Sequence, residues 1–362
     1  MRALGASRTS LVPGGVLAGP WVRDPLWRNA RAVPSLDLRF ADNKSLIDAV
    51  TGASLVTFTR ASSGTFVNSD GVLQTAATDV PRFDHNPTTG ESLGLLVEEA
   101  RTNLLLNSGT LSTQSVTVTA VAHTLHFTGT GTITLTGAST AGPLVGTGAG
   151  EANRVSLTFT PTAGSLTLTV SGTVTNAQLE AGAFRTSYIS TTAATVTRAA
   201  DVASISNANL IPWLTSFDEN TFYAELRGEP PKGLGGIIME GLVSSAIGGA
   251  TLALNNTSTR FRSQQRTGPS RFDGGNNNGS LLTNTINRVA LGTSALGSQS
   301  GENGLLPTAS TSPAQADWDP GSALSLGKRS ISSTVFLNGC IARFTYWPTR
   351  FANTTLQQIT QP

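Results

Sequence analysis

A two-residue alternation of apolar and hydroxyl side chains runs through residues 113–176 and constrains the fold more than any other feature. In TQSVTVTAVAHTLHFTGTGTITLTG and RVSLTFTPTAGSLTLTVSGTVTN, apolar residues take every second position and threonine supplies most of the opposite face. Successive side chains of a strand point to opposite faces, so the pattern predicts antiparallel strands with one buried and one wet face. Two such sheets packed together form a β-sandwich.

Composition extends this prediction to the rest of the chain. A chain of 362 residues is long enough for two or three domains. Charged residues make up only 13%, whereas soluble domains usually have about a quarter, and Gly, Ser, Thr and Asn take their place. Short strands joined by Gly/Asn turns give such a composition, whereas helical bundles do not. The sequence therefore predicts an all-β protein.

Charge and cysteine content argue against several classes of partner. The net charge of +2 is too small to indicate nucleic acid or an acidic membrane surface as a partner. No apolar run approaches the ~20 residues of a membrane span, so we expect no membrane insertion. Pro13-Gly14-Gly15 breaks the apolar core that a signal peptide needs. The single cysteine, Cys340, excludes an intrachain disulfide and is typical of a small buried apolar residue.

Residues 1–34 differ in character from the rest of the chain. They contain five arginines against one acid, and they show no clear period of 2 or 3.6. We predict an arm that becomes ordered on another surface, with tryptophans and arginines as anchors. A leader folded back on its own domain is the alternative. The anchor candidates are Trp21, Arg23, Trp27 and Arg28.

Changes of pattern divide the remaining chain into three parts. Residues 35–108 predict a small β domain in which Asp70-Gly71 forms a two-residue hairpin turn. Residues 109–202 predict the β-sandwich, followed from residue 176 by a connector rich in turn-forming residues. Residues 203–362 predict a second sandwich of strands spaced by Gly/Asn-rich loops. That sandwich ends in a short helix, NTTLQQIT, which Asn353 could cap.

The segment GLLVEEARTNLLLNS carries the densest cluster of charges, and three interpretations are open: an acid/base pair, a metal or glycan site, or a structural clasp. Glu98 and Glu99 are adjacent, so on a strand they leave opposite faces and cannot form the facing carboxylate pair of a glycosidase. Glu99 and Arg101, two apart, would share a face and could pair. We therefore favour a clasp made by Glu99, Arg101 and Asn103.

Other candidates for catalysis or metal binding are weak. His123 and His126 are three apart in a strand pattern and would lie on opposite faces, which argues against a two-histidine metal site. The sequence has no Cys/His pair, serine elbow or phosphate-binding glycine loop. We therefore predict no catalytic residues, no metal and no cofactor.

Sugar binding is the remaining chemistry, because aromatic rings stack on sugars while Asp, Asn and Arg bond their hydroxyls. Trp318 in QADWDPGS, flanked by Asp317 and Asp319, is one loop candidate; the alternative is a tryptophan packed at the base of a loop. A second polar loop supplies further candidates, namely Arg271, Asp273 and Asn277.

Three motifs in this order resemble a modular family of bacteriophage and prophage virion proteins, the tail or head fibres and spikes. They are TFTRASSGTF, then GVLQTAATDVPRFDHNPTTGESLGLLVEEARTNLLLNS, then NAQLEAGAFRTSYISTTAATVTRAADV. The closing FLNGCIARFTYWPTRFANTTLQQIT is similar to the end of a concanavalin/laminin-G-like sandwich. In such proteins the segment around Arg101 and Asn103 joins the first β unit to the next.

The resemblance implies a virion structural protein, a fibre, spike or decoration component whose sandwiches contact host surface glycan. Its partners would be other virion proteins and further copies of itself, with a trimer favoured. It would be assembled in the host cytoplasm and released by lysis. The alternatives are a purely architectural capsid, tail or baseplate element, or a bacterial adhesin.

Overall fold

The computed structural model of the protein describes most of the chain from Asp24 onwards. The described residues are 24–210, 219–228, 237–242, 249–254, 261–267, 270–273, 286–294, 297–306, 323–329 and 335–362. Within them the chain consists mainly of antiparallel strands with a few short helices, which confirms the predicted all-β class. No helix in this part of the chain is long and apolar enough to cross a membrane.

The elements are numbered in chain order. The helices are α1 Pro25–Ala30, α2 Phe40–Asn43, α3 Asn207–Leu210 and α4 Asn353–Ile359. The strands are β1 Leu36–Leu38, β2 Val56–Thr59, β3 Gly64–Val67, β4 Leu73–Ala76, β5 Phe83–His85, β6 Ser92–Val97, β7 Arg101–Asn103, β8 Gln114–Val118, β9 His123–Thr128, β10 Thr132–Gly137, β11 Leu144–Val145, β12 Val155–Phe159, β13 Gly164–Ser171, β14 Thr175–Ala181, β15 Val196–Arg198, β16 Val202–Ile205, β17 Asn220–Arg227, β18 Ile237–Leu242, β19 Gly249–Leu254, β20 Phe261–Thr267, β21 Ser270–Asp273, β22 Asn287–Ser294, β23 Gly297–Glu302, β24 Leu324–Leu326 and β25 Gly339–Trp347.

Two seven-stranded sheets form the main sandwich. One has the order β23-β22-β17-β25-β6-β5, with β1 also paired to β25; the other has the order β2-β16-β24-β18-β19-β20-β21. Their facing side chains share one core, in which Phe222 and Phe344 of the first sheet and Ile205 and Leu326 of the second are fully buried. Full burial of each such side chain stabilises the fold by about 1.5–3 kcal/mol.

The main sandwich crosses the boundaries that the sequence predicted. Strands β1, β2, β5 and β6 come from the predicted small domain at 35–108, yet they belong to the two sheets that strands of the predicted C-terminal domain complete. Leu36 lies opposite Tyr346, and Leu96 lies opposite Cys340. Strands of three to six residues cannot bury their own apolar face alone, so they join the sheets of the later segment. Alternation in the sequence reveals a buried face but not the partner that covers it.

The second sandwich is inserted between β6 and β16, and it agrees with the predicted one. Its sheets have the orders β11-β10-β13-β8 and β12-β9-β14, and they enclose a separate core that includes Leu125, Phe127 and Leu168. Strand β14 occupies part of the predicted connector. Its polar residues Gln178 and Glu180 are fully buried and hydrogen-bonded. The sequence of this segment resembles a turn because of such polar residues, although the segment forms a strand.

A two-stranded ribbon of β7 and β15 connects the inserted sandwich to the main one. Asn103 lies opposite Val196, and Arg101 lies opposite Arg198. The chain leaves the main sandwich after β6, enters the insertion through β7 and returns through β15 to β16. We call this ribbon the neck.

Residues 24–34 fold back onto the main sandwich instead of extending as an arm. Asp24 caps α1 by accepting a hydrogen bond from the Trp27 amide at 3.1 Å. Leu26 and Ala30 are buried in a small cluster that also contains Trp347 and residues of α4. The alternative of a leader folded back on its own domain therefore describes these residues, because their apolar side chains cover the outer face of the first sheet.

Two local predictions also need correction. The hairpin around Asp70-Gly71 exists, but β3 and β4 are joined by a five-residue loop, 68–72, in which Gly71 has a φ of +73°. The side-chain oxygen of Asn68 accepts from two amides of this loop, which favours the longer turn. Helix α4 is present, but its N-cap is Ala352, and Asn353 instead accepts a hydrogen bond from Arg350.

Candidate functional site

Five charged side chains meet at the junction between the neck and the main sandwich. The Arg82 Nη2 atom contacts the Glu98 carboxylate at 2.9 Å and also bonds the Asp201 carboxylate. Arg60 lies 3.1 Å from Asp201, and Arg198 lies 3.4 Å from Glu98. None of the five side chains is more than 6% exposed. We call this group the buried ion cluster.

The electrostatics of the buried ion cluster indicate a fixed structural charge. Burial alone would raise the pKa of Glu98, but the guanidinium groups of Arg198 and Arg82 and hydrogen bonds from Ser187 hold that pKa at about 2. The Ser187 amide and hydroxyl donate to the two carboxylate oxygens at 2.8 and 2.7 Å. Glu98 is therefore ionised and fully hydrogen-bonded, which suits a clasp and not a proton donor.

The buried ion cluster is also the place where the recognisable motifs meet. Arg60 belongs to TFTRASSGTF, Glu98 to GLLVEEARTN, and Arg198 and Asp201 to TVTRAAD. Sequence reasoning selected Glu99 and missed Glu98, Arg60 and Asp201. These residues could have been found in the sequence, because each motif contains an arginine or an acid beside apolar residues of a predicted strand.

The predicted clasp residues lie next to this cluster. Glu99 forms an ion pair with Arg101, whose guanidinium also lies 4.8 Å from the centre of the Phe184 ring. The Glu99 amide donates to the Asn338 side chain at 2.9 Å, which connects the neck to the main sandwich. Glu99 and Arg101 thus contact each other, and together they contact both the main sandwich and the inserted one. Both are less buried than Glu98.

Asn103 is fully buried and uses the whole hydrogen-bonding capacity of its amide. Its Nδ2 donates to the carbonyls of Ala177 and Ile189 at 3.0 and 2.8 Å. Its Oδ1 accepts from the amides of Leu105 and Leu179. One side chain thereby satisfies four backbone groups where the neck enters the inserted sandwich.

A cleft of about 950 Å³ lies between the two sandwiches. The main sandwich and its β3–β4 hairpin contribute one wall, and the inserted sandwich contributes the other. Residues of the first wall include Phe66, Asp84, His85, Asn86, Thr88, Thr89, Glu91 and Arg227. Residues of the second wall include Glu151, Arg154, Arg185, Thr186, Ser187 and Tyr188.

The side chains of Asp84 and His85 bond the end of strand β3, beside the cleft. The Asp84 carboxylate accepts from the Val67 amide at 2.6 Å, and His85 Nδ1 lies 3.0 Å from the Val67 carbonyl. Both backbone groups of Val67 are therefore bonded by side chains. Burial, the main cause, raises the pKa of Asp84 to about 6. His85 is only 5% exposed, and its Nε2 has no hydrogen-bond partner among the described residues.

Two of the arginines around the cleft have carboxylate partners of their own. Arg154 forms a two-point contact with Glu151 at 2.7 and 2.6 Å and lies over the Tyr188 ring at 5.6 Å. Arg227 lies 2.8 Å from Glu225 and 3.5 Å from Glu91. Each of these two guanidinium groups is thus compensated locally.

The two histidines of the inserted sandwich do not form a joint site. His126 Nε2 lies 3.2 Å from Glu180, whereas His123 Nδ1 bonds the Val121 carbonyl at 2.8 Å. Burial is the main factor that lowers the pKa of His126. The described residues contain no group of three His, Cys, Asp or Glu side chains that could hold a metal ion.

Two of the four anchor candidates, Trp27 and Arg28, lie within the described residues. Trp27 donates from its indole nitrogen to Asp37 at 3.0 Å, and Arg39 lies 5.0 Å from its ring, so this tryptophan is engaged by its own chain. Arg28 is exposed on α1. Trp21 and Arg23 lie outside the described residues.

The loop candidates for sugar contact are not brought together by the described part of the chain. Arg271 and Asp273 lie on β21, opposite Arg266 and Gln264 of β20. The remaining candidates, Asn277, Asp317, Trp318 and Asp319, lie outside the described residues. Cys340 is buried as predicted, and burial chiefly raises the pKa of its thiol.

Comparison with known proteins gives loose structural similarities only. No protein-family model and no curated protein matches the chain. Domain 4 of the extracellular arabinanase AbnA from Geobacillus stearothermophilus, solved with arabinotriose, has a TM-score of 0.37 and 10% identity over 64% of this chain and 88% of that one. The CBM40 of Ruminococcus gnavus IT-sialidase, bound to α2,3 sialyllactose, has a TM-score of 0.31 and 14% identity over 41% of this chain and 85% of that one.

Trypanosoma rangeli sialidase has a TM-score of 0.33 and 12% identity, and the match covers 44% of this chain and 26% of the sialidase. These scores and identities are low. The ligands and activities of these neighbours therefore do not carry over to this chain.

Proposed function

We propose that this protein is a structural component of a bacteriophage particle, a fibre, spike or decoration protein, that attaches to glycan on the host surface. The virion assignment rests on the three ordered motifs, which meet in the buried ion cluster at the junction of the two sandwiches. The attachment function rests on one observation, the cleft between those sandwiches.

The lining of the cleft suits a carbohydrate. Phe66 is half-buried and offers an aromatic face. The turn after β5 adds an amide at Asn86 and hydroxyls at Thr88 and Thr89. Pockets for small ligands typically measure about 300–1,000 Å³, so a cleft of about 950 Å³ has room for a short oligosaccharide.

Binding fits this cleft better than hydrolysis does. A glycosidase needs one carboxyl group that donates a proton and a second that is free to attack the sugar or to activate water. Asp84 and Glu98 both line the cleft, and their pKa values are shifted in opposite directions. The Glu98 carboxylate, however, is bonded by Arg82 and by both donors of Ser187. We therefore propose a binding protein without catalytic activity.

The proposed partners are other virion proteins, further copies of this chain, with a trimer favoured, and host surface glycan. Several copies on one particle would convert weak single-site binding into strong attachment through avidity. Sedimentation equilibrium of the purified protein tests the oligomeric state, and a monomer at micromolar concentration would argue against the trimer.

Cryo-electron microscopy of particles that carry the full-length chain, or the chain without residues 1–23, tests the location. Deletion should stop at residue 23, because Leu26 and Ala30 belong to a buried cluster of the main sandwich. We expect the full-length protein to stand out from the particle with the cleft open to solvent. We expect the shortened protein to be lost from the particle.

The purely architectural role is the alternative virion function. It predicts that the same maps show the cleft covered by neighbouring subunits. That result would remove glycan attachment from the proposal and leave a building block of the particle.

A further inference from the structure

Strand β8 forms one edge of the sheet β11-β10-β13-β8, and its hydrogen bonds to β13 define which backbone groups point outward. The Val170 amide of β13 points towards β8, where it donates to the Thr113 hydroxyl at 2.9 Å. The Ser165 carbonyl points the opposite way and accepts from an amide just beyond β10. Even-numbered residues of β13 therefore bond β8. In the observed register, Ser115 and Thr117 direct their amides and carbonyls away from the sheet.

The outward backbone groups of Ser115 and Thr117 are open to a further strand. No residue in the described part of the chain bonds these amides or carbonyls, and both residues are exposed. The Ser115 hydroxyl bonds the Thr167 hydroxyl at 2.8 Å, so this side chain lies on the face of the sheet and does not cover its edge. An edge of this kind is a template for pairing with another strand.

The edge at β8 has none of the features that usually prevent such pairing, namely a charge, a proline or a β-bulge. No Asp, Glu, Lys or Arg occurs between Arg101 and Glu151 or between Arg154 and Glu180, so the whole sheet β11-β10-β13-β8 is uncharged. The edge strands of the main sandwich, in contrast, each contain or adjoin a charged residue: Asp84 in β5, Arg60 after β2, Glu302 in β23, and Arg271 and Asp273 in β21.

The sequence of β8, QSVTV, is complementary to itself. When a second copy lies antiparallel about a twofold axis at Val116, Ser115 of each copy lies opposite Thr117 of the other. These are the two residues with outward backbone groups, so each opposed pair exchanges two hydrogen bonds. Their hydroxyls meet on the outer face as a favourable cross-strand pair. Because both edges are uncharged, no like charges oppose the contact.

We propose that β8 is a contact surface between two copies of this chain, which pair edge to edge and join two sheets into one. The contact goes beyond the function proposed above, since it involves neither the cleft nor a glycan. It uses the same surface on both copies, so it joins copies in pairs and closes there. It is therefore separate from a contact around the threefold axis of a trimer, and in a trimeric protein it would link one trimer to another.

The test changes the charge of the edge in the full-length protein. Ser115→Lys with Thr117→Lys places lysine opposite lysine in the paired copies, whereas Ser115→Lys with Thr117→Glu places lysine opposite glutamate. Thr134→Lys with Thr136→Lys is the matched control, because both threonines are exposed on the same face of β10, which is not an edge. Sedimentation equilibrium over a range of protein concentrations measures the dissociation constant of pairing, and thermal melts show whether each variant is folded.

We expect the edge variant with two lysines to weaken pairing about tenfold relative to the control. The lysine–glutamate variant should pair more tightly than the wild type, because its opposed charges attract. A strand of five residues makes a small interface, so we expect the wild type to pair only at high concentration. If the two-lysine variant does not fold, the lysine–glutamate variant decides the question by itself.

The remaining outcomes overturn the inference and separate it from the oligomer proposed above. If the wild type and all folded variants form the same trimer with no further association, the β8 contact is wrong and the trimer stands. If the wild type and the lysine–glutamate variant both stay monomeric at the highest concentration reached, the β8 contact and the trimer both fail. Glycan attachment stands in either case, because β8 does not line the cleft.

Discussion

At the scale of single residues, burial decides what two adjacent glutamates contribute. Glu98 lies among three buried arginines, whereas the Glu99 side chain is 22% exposed and pairs with Arg101. A buried charge that loses its partner costs far more than an exposed one, because the remaining ion stays out of water without compensation.

We therefore expect Glu98→Gln to lower the free energy of unfolding by about 3 kcal/mol or more, because Arg82 and Arg198 would share one carboxylate fewer. Glu99→Gln should cost less than about 1 kcal/mol. Urea unfolding of both variants, followed by tryptophan fluorescence, measures the difference. Equal losses would mean that the buried ion cluster is not the stabilising contact at this junction.

Asp84 should make stability depend on pH. Its pKa in the folded protein is about 6, above the ordinary value of 3.8, so the folded state binds more protons between these values. Unfolding free energy should therefore fall as pH rises from about 4 to about 6. Asp84→Asn keeps an acceptor for the Val67 amide but cannot ionise. We expect its stability relative to the wild type to increase over this pH range, by on the order of 2 kcal/mol.

Thermal melts of both proteins between pH 4 and 7 test this prediction. If the melting temperatures of the wild type and the variant changed in parallel with pH, Asp84 would ionise in the folded protein as it does in the unfolded chain.

The same residues show how far the sequence predicts the site. The period of two in GLLVEE places Glu98 and Glu99 on opposite faces and suggests that Glu99 pairs with Arg101, as it does. It does not reveal that Glu98 lies among buried arginines, because those contacts span up to about a hundred residues and depend on sheet pairing. His85 was also missed, since an unsatisfied acceptor is visible only once its surroundings are known.

At the scale of elements, the neck carries the chain between the two sandwiches, and Asn103 organises it. Asn103→Ala would leave two carbonyls and two amides without partners in a buried place. We expect a loss of about 3 kcal/mol or more. Thr102→Ala is the control in the same strand, because its hydroxyl bonds only the exposed Thr197 hydroxyl, and its cost should be below about 0.5 kcal/mol. Similar costs for the two variants would contradict this role of Asn103.

Helix α1 gives a second prediction at this scale. Deletion of residues 1–34 removes Leu26 and Ala30 from their cluster with Trp347, whereas deletion of 1–23 removes none of the described contacts. We expect the longer deletion to lower the melting temperature by several degrees more than the shorter one does. Differential scanning fluorimetry of both proteins decides, and equal melting temperatures would mean that α1 does not stabilise the main sandwich.

The elements also show why the predicted boundaries differ from the observed ones. Strand type was predictable, since alternating side chains mark a half-buried strand wherever it pairs. Which strands pair with each other was not predictable from the sequence. Strands β1 and β6 pair with β25, about 240 to 310 residues later in the chain, and no local pattern encodes such a choice. The strands of the inserted sandwich pair mainly with one another, so the alternation at 113–176 lies within a single unit.

At the scale of the whole molecule, the two sandwiches have separate cores but share the walls of the cleft. Among the described residues, the core of the insertion shares no member with the core of the main sandwich. Loop 186–189 nevertheless bonds the main sandwich, because Ser187 donates to Glu98 and the Tyr188 carbonyl accepts from Thr65 at 2.6 Å. These contacts fix the relative position of the two walls, and the proposed binding of sugar in the cleft depends on that position.

Separate cores predict that residues 101–198, which include both strands of the neck, fold without the rest of the chain. We expect circular dichroism of this fragment to show β structure and one cooperative thermal transition, since both sheets and their core lie within it. Its melting temperature should be below that of the whole protein, because Arg101 would lose Glu99 and Arg198 would lose Glu98 and Asp201. The fragment should bind no sugar, because the wall that carries His85 is absent. A fragment that bound sugar as well as the whole protein would place the site within the inserted sandwich and not in the cleft between the two.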